Sequence, residues 1–103
     1  MVRLVLITVP DEATARKLAR SLVEERLAAC VNVVGGLTSI YRWEGEVHED
    51  AELLLLVKTT AAALPELEAR VRALHPYSVP ELLAFAVESG LDRYLSWVKE
   101  NVK

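Results

Sequence analysis

The chain has 103 residues, 15 acidic against 12 basic side chains for a formal charge of -3, 52% hydrophobic residues and one cysteine. That length builds a single domain, residues 1–103, with a sizeable core, and the charge balance leaves no basic footprint for nucleic acid. The lone thiol excludes an intrachain disulfide, a Cys-x-x-Cys redox pair and a zinc ribbon, and fits a reducing compartment.

The longest apolar run, Leu53 to Val57, falls far short of the roughly 20 residues that span a bilayer, and the first residues lack a small-residue cleavage site. A soluble, cytoplasmic protein with no membrane partner is expected. Gln is absent, Met occurs only at the start, and Arg and Glu dominate the charged set, a thermophile tendency that points to a thermostable chain.

Residues 2 to 9, VRLVLITV, predict a strand that Pro10 closes by removing a backbone donor. Asp11 can cap a helix over about 11 to 26, because Ala15, Leu18, Ala19, Leu22 and Leu27 recur at helical spacing. The stretch AACVNVVGGLTSIYRW, 28 to 43, reads as a strand with a bulge at Gly35-Gly36, and EVHEDAELLLLVKT, 46 to 59, as its return strand. Glu44-Gly45 between them suits a two-residue hairpin turn.

LPELEARVRAL, 64 to 74, puts Leu64, Leu67, Val71 and Leu74 on one helical face, with Pro65 in the first turn. HPYSVP ends that helix. ELLAFAV is expected to be a short buried strand, and LDRYLSWVKEN a terminal helix with Leu91, Tyr94, Leu95, Trp97 and Val98 inward. The order is βαββαβ plus a helix, which predicts an α+β fold: a ferredoxin-like sandwich with a C-terminal helix and a long hairpin of the second and third strands.

A globule of this length has a radius of gyration near ~13 Å and a diameter of about 34 Å, whereas fourteen-residue strands reach roughly 46 Å. The hairpin should therefore overhang its own domain. An overhang bearing Ile40, Tyr41, Trp43 and Val47 exposes apolar surface and unpaired edge, which predicts a homo-oligomer.

TVPDEATA, RLAACVNVV, SIYRWEGEV, LLLVKTT, HPYSVPELL and YLSWV, in this order over nearly the whole chain, resemble the CutA divalent-cation tolerance family. The resemblance implies a homotrimer joined through the 28–59 hairpin, a role in tolerance of copper and other divalent cations, and kinship with the PII signalling proteins, whose trimers bind small ligands between subunits. The copper ligands proposed for that family are a cysteine just before the Thr-x-Pro that closes the first strand, and two adjacent histidines before Pro-Tyr. In this chain Ile7 and Leu74 occupy two of those places and His75 the third.

Three residues are candidate metal ligands by their chemistry: His75; Cys30, a soft thiolate donor; and His48, which shares a strand face with Glu46 and Asp50 by period two. Each has a structural alternative: a helix-end cap for His75, a small core hydrophobe for Cys30, a solvated strand for His48. Tyr41, Trp43, Lys58, Tyr77, Glu81 and Trp97 are expected to line a subunit cleft or to pack a trimer interface. No nucleophile elbow, phosphate loop, HExxH or dinucleotide fingerprint is present, so no enzyme is expected. The expected function is non-enzymatic metal response, with copper or another divalent ion at subunit interfaces. A PII-like sensor binding a small organic anion near Lys58, or a scaffold that only presents surfaces, is the alternative.

Overall fold

The β-branched run Val2–Val9 forms strand β1 in the computed structural model, which describes residues 1–103. Asp11 then accepts the Thr14 N–H at 2.8 Å and caps helix α1 (Glu12–Glu24), and those bonds from Thr14 hold its carboxyl below the ordinary value. The helix ends in a Schellman arrangement, with Arg26 N–H on the Val23 carbonyl and Leu27 N–H on the Leu22 carbonyl. Arg26 takes the position glycine usually fills, at φ 60°, and its guanidinium donates to the Glu100 carbonyl at 2.9 Å.

Strand β2 (Cys30–Trp43) turns at Glu44 and Gly45, both at positive φ (50° and 79°), into β3 (Glu46–Thr60). This is the backbone that a two-residue hairpin loop demands, because it matches the right-handed strand twist. Helix α2 (Leu64–Leu74) starts with Pro65 in its first turn, as expected, and is followed by β4 (Leu82–Ala86) and helix α3 (Asp92–Glu100).

The sheet runs β2-β3-β1-β4 and every neighbouring pair is antiparallel, with β3 inserted between β1 and β2. This is the expected split-βαβ, ferredoxin-like sandwich. One sheet face supplies Val5, Ile7, Val9, Leu55 and Val57, which pack against Ala15, Leu18 and Leu22 of α1 and Leu67 and Val71 of α2. All are 1% exposed or less, and each large side chain so buried contributes about 1.5–3 kcal/mol. A smaller cluster of Val2, Ala63, Val98 and Val102 docks α3.

The opposite face has no helical layer over its middle. Its rows follow from register: Leu4 beside Lys58 and Phe85, Leu6 beside Leu56 and Leu83, Thr8 beside Leu54. Two expectations fail here. β4 is not buried, since Leu83 and Phe85 are about half exposed (51% and 49%) on an edge strand whose outer face nothing in the chain covers. In α3 only Val98 is buried and Leu95 partly so; Trp97 and the preceding Leu91 point outward, and Tyr94 stays partly exposed beside Cys30. A nine-residue helix on a four-residue cluster has room for one apolar stripe.

The molecule measures 44 × 25 × 22 Å with a radius of gyration of 14.1 Å, above the ~13 Å of a compact chain. The excess is the hairpin. β1 pairs with β3 only over Leu53–Thr60, so Leu37–Trp43 and Glu46–Glu52 form a two-stranded ribbon beyond the sheet.

The turn offers a direct check. Asn accepts the left-handed region more readily than Glu, so Glu44→Asn should raise the unfolding free energy by about 0.5–1 kcal/mol in urea titration. A lowered midpoint would show that the turn is not held in this conformation.

Candidate functional site

Between Val34↔Leu54 and Leu37↔Glu52, two residues of β2, Gly35 and Gly36, oppose Leu53 alone. This bulge shifts the alternation of β2 by one. Asn32 and Val34 before it, and Leu37, Ser39, Tyr41 and Trp43 after it, therefore all lie on the face of Glu52 and Leu54. Gly36 adopts φ 77°, the conformation that requires glycine there.

At the root of the ribbon this face opens into a cavity of about 530 Å³. One wall is Ser39, Ile40, Tyr41 and Trp43 of β2; the other is Tyr77, Ser78, Val79 and Glu81 of the segment after α2. Thr8 and Glu52 form the floor. Of the six residues expected in a cleft, four meet here: Tyr41, Trp43, Tyr77 and Glu81.

The second wall hangs on His75. Its Nδ1 accepts the Tyr77 N–H at 3.1 Å, so the proton sits on Nε2, which donates to the Thr8 carbonyl at 2.8 Å. The ring is 7% exposed and braces the segment against β1. Tyr77 tilts against it at 4.7 Å and reaches the floor, donating its hydroxyl to Glu52 Oε2 at 2.9 Å. Burial, then that bond and the Glu52 charge, push the Tyr77 hydroxyl up to about 12. Tyr41 repeats the pattern: its hydroxyl donates to Asp50 at 2.5 Å, and that bond raises its pKa. His48 stacks on the Tyr41 ring at 5.5 Å.

The other expected site residues lie apart from this cavity. Lys58 sits at the far end of β3, its ammonium held by the Asn32 side chain and the Leu56 carbonyl at 3.3 Å. Trp97 lies on α3 beside Tyr94, lining a shallow depression with Arg93 and Glu100. Cys30 is half-buried across from Lys58, against Tyr94, whose hydroxyl is pushed up by burial and by the thiol. Along β2 it is on the order of 35 Å from Tyr41, the partner of His48. The three candidate metal ligands are therefore not brought together. Nowhere do three His, Cys, Asp or Glu side chains converge as a metal set.

A profile of the family described as "CutA1 divalent ion tolerance protein" matches residues 3–101. The divalent-cation tolerance protein CutA of Thermus thermophilus is 64% identical over 101 residues, 98% of each chain. Human protein CutA is 47% identical over 94 residues, and the match spans 91% of this chain but 52% of that relative. Among solved structures, the divalent cation tolerance protein Cut A1 of Thermus thermophilus superposes with a TM-score of 0.98 at 63% identity over the whole of both chains. The structure described as the periplasmic divalent cation tolerance protein CutA of Archaeoglobus fulgidus gives 0.96 at 35% identity, again over both whole chains.

The chain belongs to the CutA1 divalent ion tolerance family.

In this CutA1 chain Ile7 is fully buried in the main core and Leu74 packs at its margin, so both serve packing. Glu52, Thr8 and Ser39 are site residues that the sequence alone does not reveal. Glu52 opens an apolar run, and only the register of β3 against β1, which sets it on the face of Leu54 and Thr8, shows that it faces the cavity.

The Tyr77 shift has a signed consequence. A hydroxyl raised from about 10 unfolded to about 12 folded keeps its proton longer in the native state, so its contribution is complete below pH 10 and is lost as pH rises toward 12. Absorbance at 295 nm should show all three tyrosines ionising above the ordinary value, with a component near pH 12 that Tyr77→Phe removes.

Proposed function

We propose that this CutA1 chain acts in divalent-cation tolerance without catalysis, as a homotrimer joined through its hairpin and open sheet face, with ion or ligand sites completed between copies. The observation that carries this reading is the uncovered apolar face. Leu4, Leu6, Leu54, Leu56, Val34, Leu83 and Phe85 share it, with Val34, Leu83 and Phe85 between 42% and 51% exposed. Surface of this kind, continuous with an overhanging ribbon, is what a protein in water covers with another copy.

Copper prefers nitrogen and sulfur donors. His75 spends both ring nitrogens on the fold. Cys30 lies in the Lys58–Leu4–Phe85 row of the open face, so assembly would bring this soft donor toward its equivalents in other copies. A reducing cytoplasm would keep that thiol free, and no helix of the chain is long and apolar enough to cross a membrane.

A second reading rests on Lys58, whose ammonium has no carboxylate partner and lies on the same face. A PII-like anion sensor would use it.

Light scattering should return about three times the chain mass of 11.4 kDa. Phe85→Glu should lower that mass while circular dichroism stays native; an unchanged mass would remove the open face from the interface. Titration with Cu²⁺, Zn²⁺ and Mg²⁺ should give a whole-number copper ratio per assembly that Cys30→Ser abolishes. Absent copper binding together with thermal stabilisation by organic anions would favour the second reading.

A further inference from the structure

We propose that the cavity at the hairpin root binds a small organic cation, an alkylammonium ion that sits among the rings of Tyr41, Trp43 and Tyr77 with its charge toward Glu52. This goes beyond the tolerance reading, which assigns the cavity no ligand of its own.

Glu52 supplies the first reason. The residue is 8% exposed, yet its carboxylate meets only the Tyr77 hydroxyl. The four ion pairs of the chain, Glu12–Arg16, Glu24–Arg20, Glu25–Arg70 and Glu66–Lys103, all lie elsewhere. No buried side-chain oxygen of the chain lacks a partner, so the carboxylate edge that Tyr77 leaves free faces the cavity, where a bound cation would pair with it.

Charge and hydrogen-bonding capacity point the same way. No Lys or Arg lines the cavity, while Glu52 and Glu81 do, and Asp50 stands behind Tyr41. Both tyrosine hydroxyls already give their protons to carboxylates. An anion would find these donors committed and like charges beside it. An ammonium finds acceptors and ring faces, whose quadrupoles attract it.

Size separates an organic cation from a metal. About 530 Å³ lies within the range of small-molecule sites, roughly 300–1,000 Å³. A divalent ion needs several oxygens at one point, and no such convergence exists. Val79 and the Trp43 ring leave room for a short apolar arm on the ammonium.

The test is calorimetry on the assembled full-length protein with tetramethylammonium chloride and with 1,4-diaminobutane, against sodium chloride of equal ionic strength and disodium succinate. We expect saturable binding of at least one amine and none of succinate. Glu52→Gln and Trp43→Leu should each weaken it roughly tenfold, with mass and circular dichroism retained. Glu81→Gln, an exposed site that leaves the floor intact, should weaken it about threefold. Trp43 emission should respond to the amine in a Trp97→Phe background.

No saturable signal from either amine up to about 10 mM would overturn the proposal. Binding that is indifferent to Glu52→Gln, Glu81→Gln and Trp43→Leu would also overturn it, because the cation would then sit elsewhere. The tolerance reading fails on different results, an unassembled chain or an inert Cys30, so the two stand or fall separately.

Discussion

A single extra residue in β2 decides what the hairpin can do. In an antiparallel pair, opposed residues share a face and successive residues alternate, so an insertion moves everything beyond it to the other side. With Gly35 and Gly36 set against Leu53, Tyr41 and Trp43 join the face that holds Thr8 and Glu52, while Ile40 and Arg42 take the opposite side of the strand. Removing the bulge would exchange the two sets. Gly36 has open space around it, so its backbone angle, and not crowding, selects glycine there. An L side chain in that region costs about 1–2 kcal/mol.

His75 is the complementary fixed point. Its imidazole spans the Thr8 carbonyl and the Tyr77 N–H, joining the end of the central strand to the segment that carries the second cavity wall. A metal ion on Nε2 would strand the Thr8 carbonyl in a buried place, at a cost of about 1–3 kcal/mol, and would loosen the contact that positions Tyr77. The same histidine thus has a structural use that competes with ligation. Ile7 and Leu74 point in the same direction, because both have become part of the packing beneath it.

The elements are legible in the sequence because their patterns are local. Asp11 before a 3.6-period stripe, Glu44-Gly45 between alternating runs, and Pro65 at a helix start each reflect chemistry within a few residues. What the sequence misplaces depends on partners outside the segment. Leu83, Phe85, Leu91 and Trp97 are apolar and therefore expected inward, but the chain supplies no surface to receive them. The cavity is half legible for a related reason. Tyr41, Trp43, Tyr77 and Glu81 suggest a binding cleft by composition. Lys58 and Trp97 are excluded, and Glu52 included, only by strand register and the bulge, which no residue type announces.

The ribbon beyond the sheet would link the proposed assembly to the cavity. Residues Leu37–Trp43 and Glu46–Glu52 pair with each other and with no third strand. A two-stranded hairpin in water is marginal by itself. Its internal supports are few: the Tyr41–Asp50 bond, the Tyr41–His48 stack and the Arg42 contact with the Gly45 carbonyl. Whatever else orders it must come from outside the chain. Tyr41 and Trp43 lie on this ribbon, whereas Tyr77 and Glu81 stand on a segment anchored by His75, so one wall of the cavity is fixed and the other is only as firm as the hairpin. In the proposed assembly, a neighbouring copy that held the ribbon would also complete the wall. A ligand bridging the two walls would hold the ribbon in turn, and by reciprocity it would strengthen the contact with that copy.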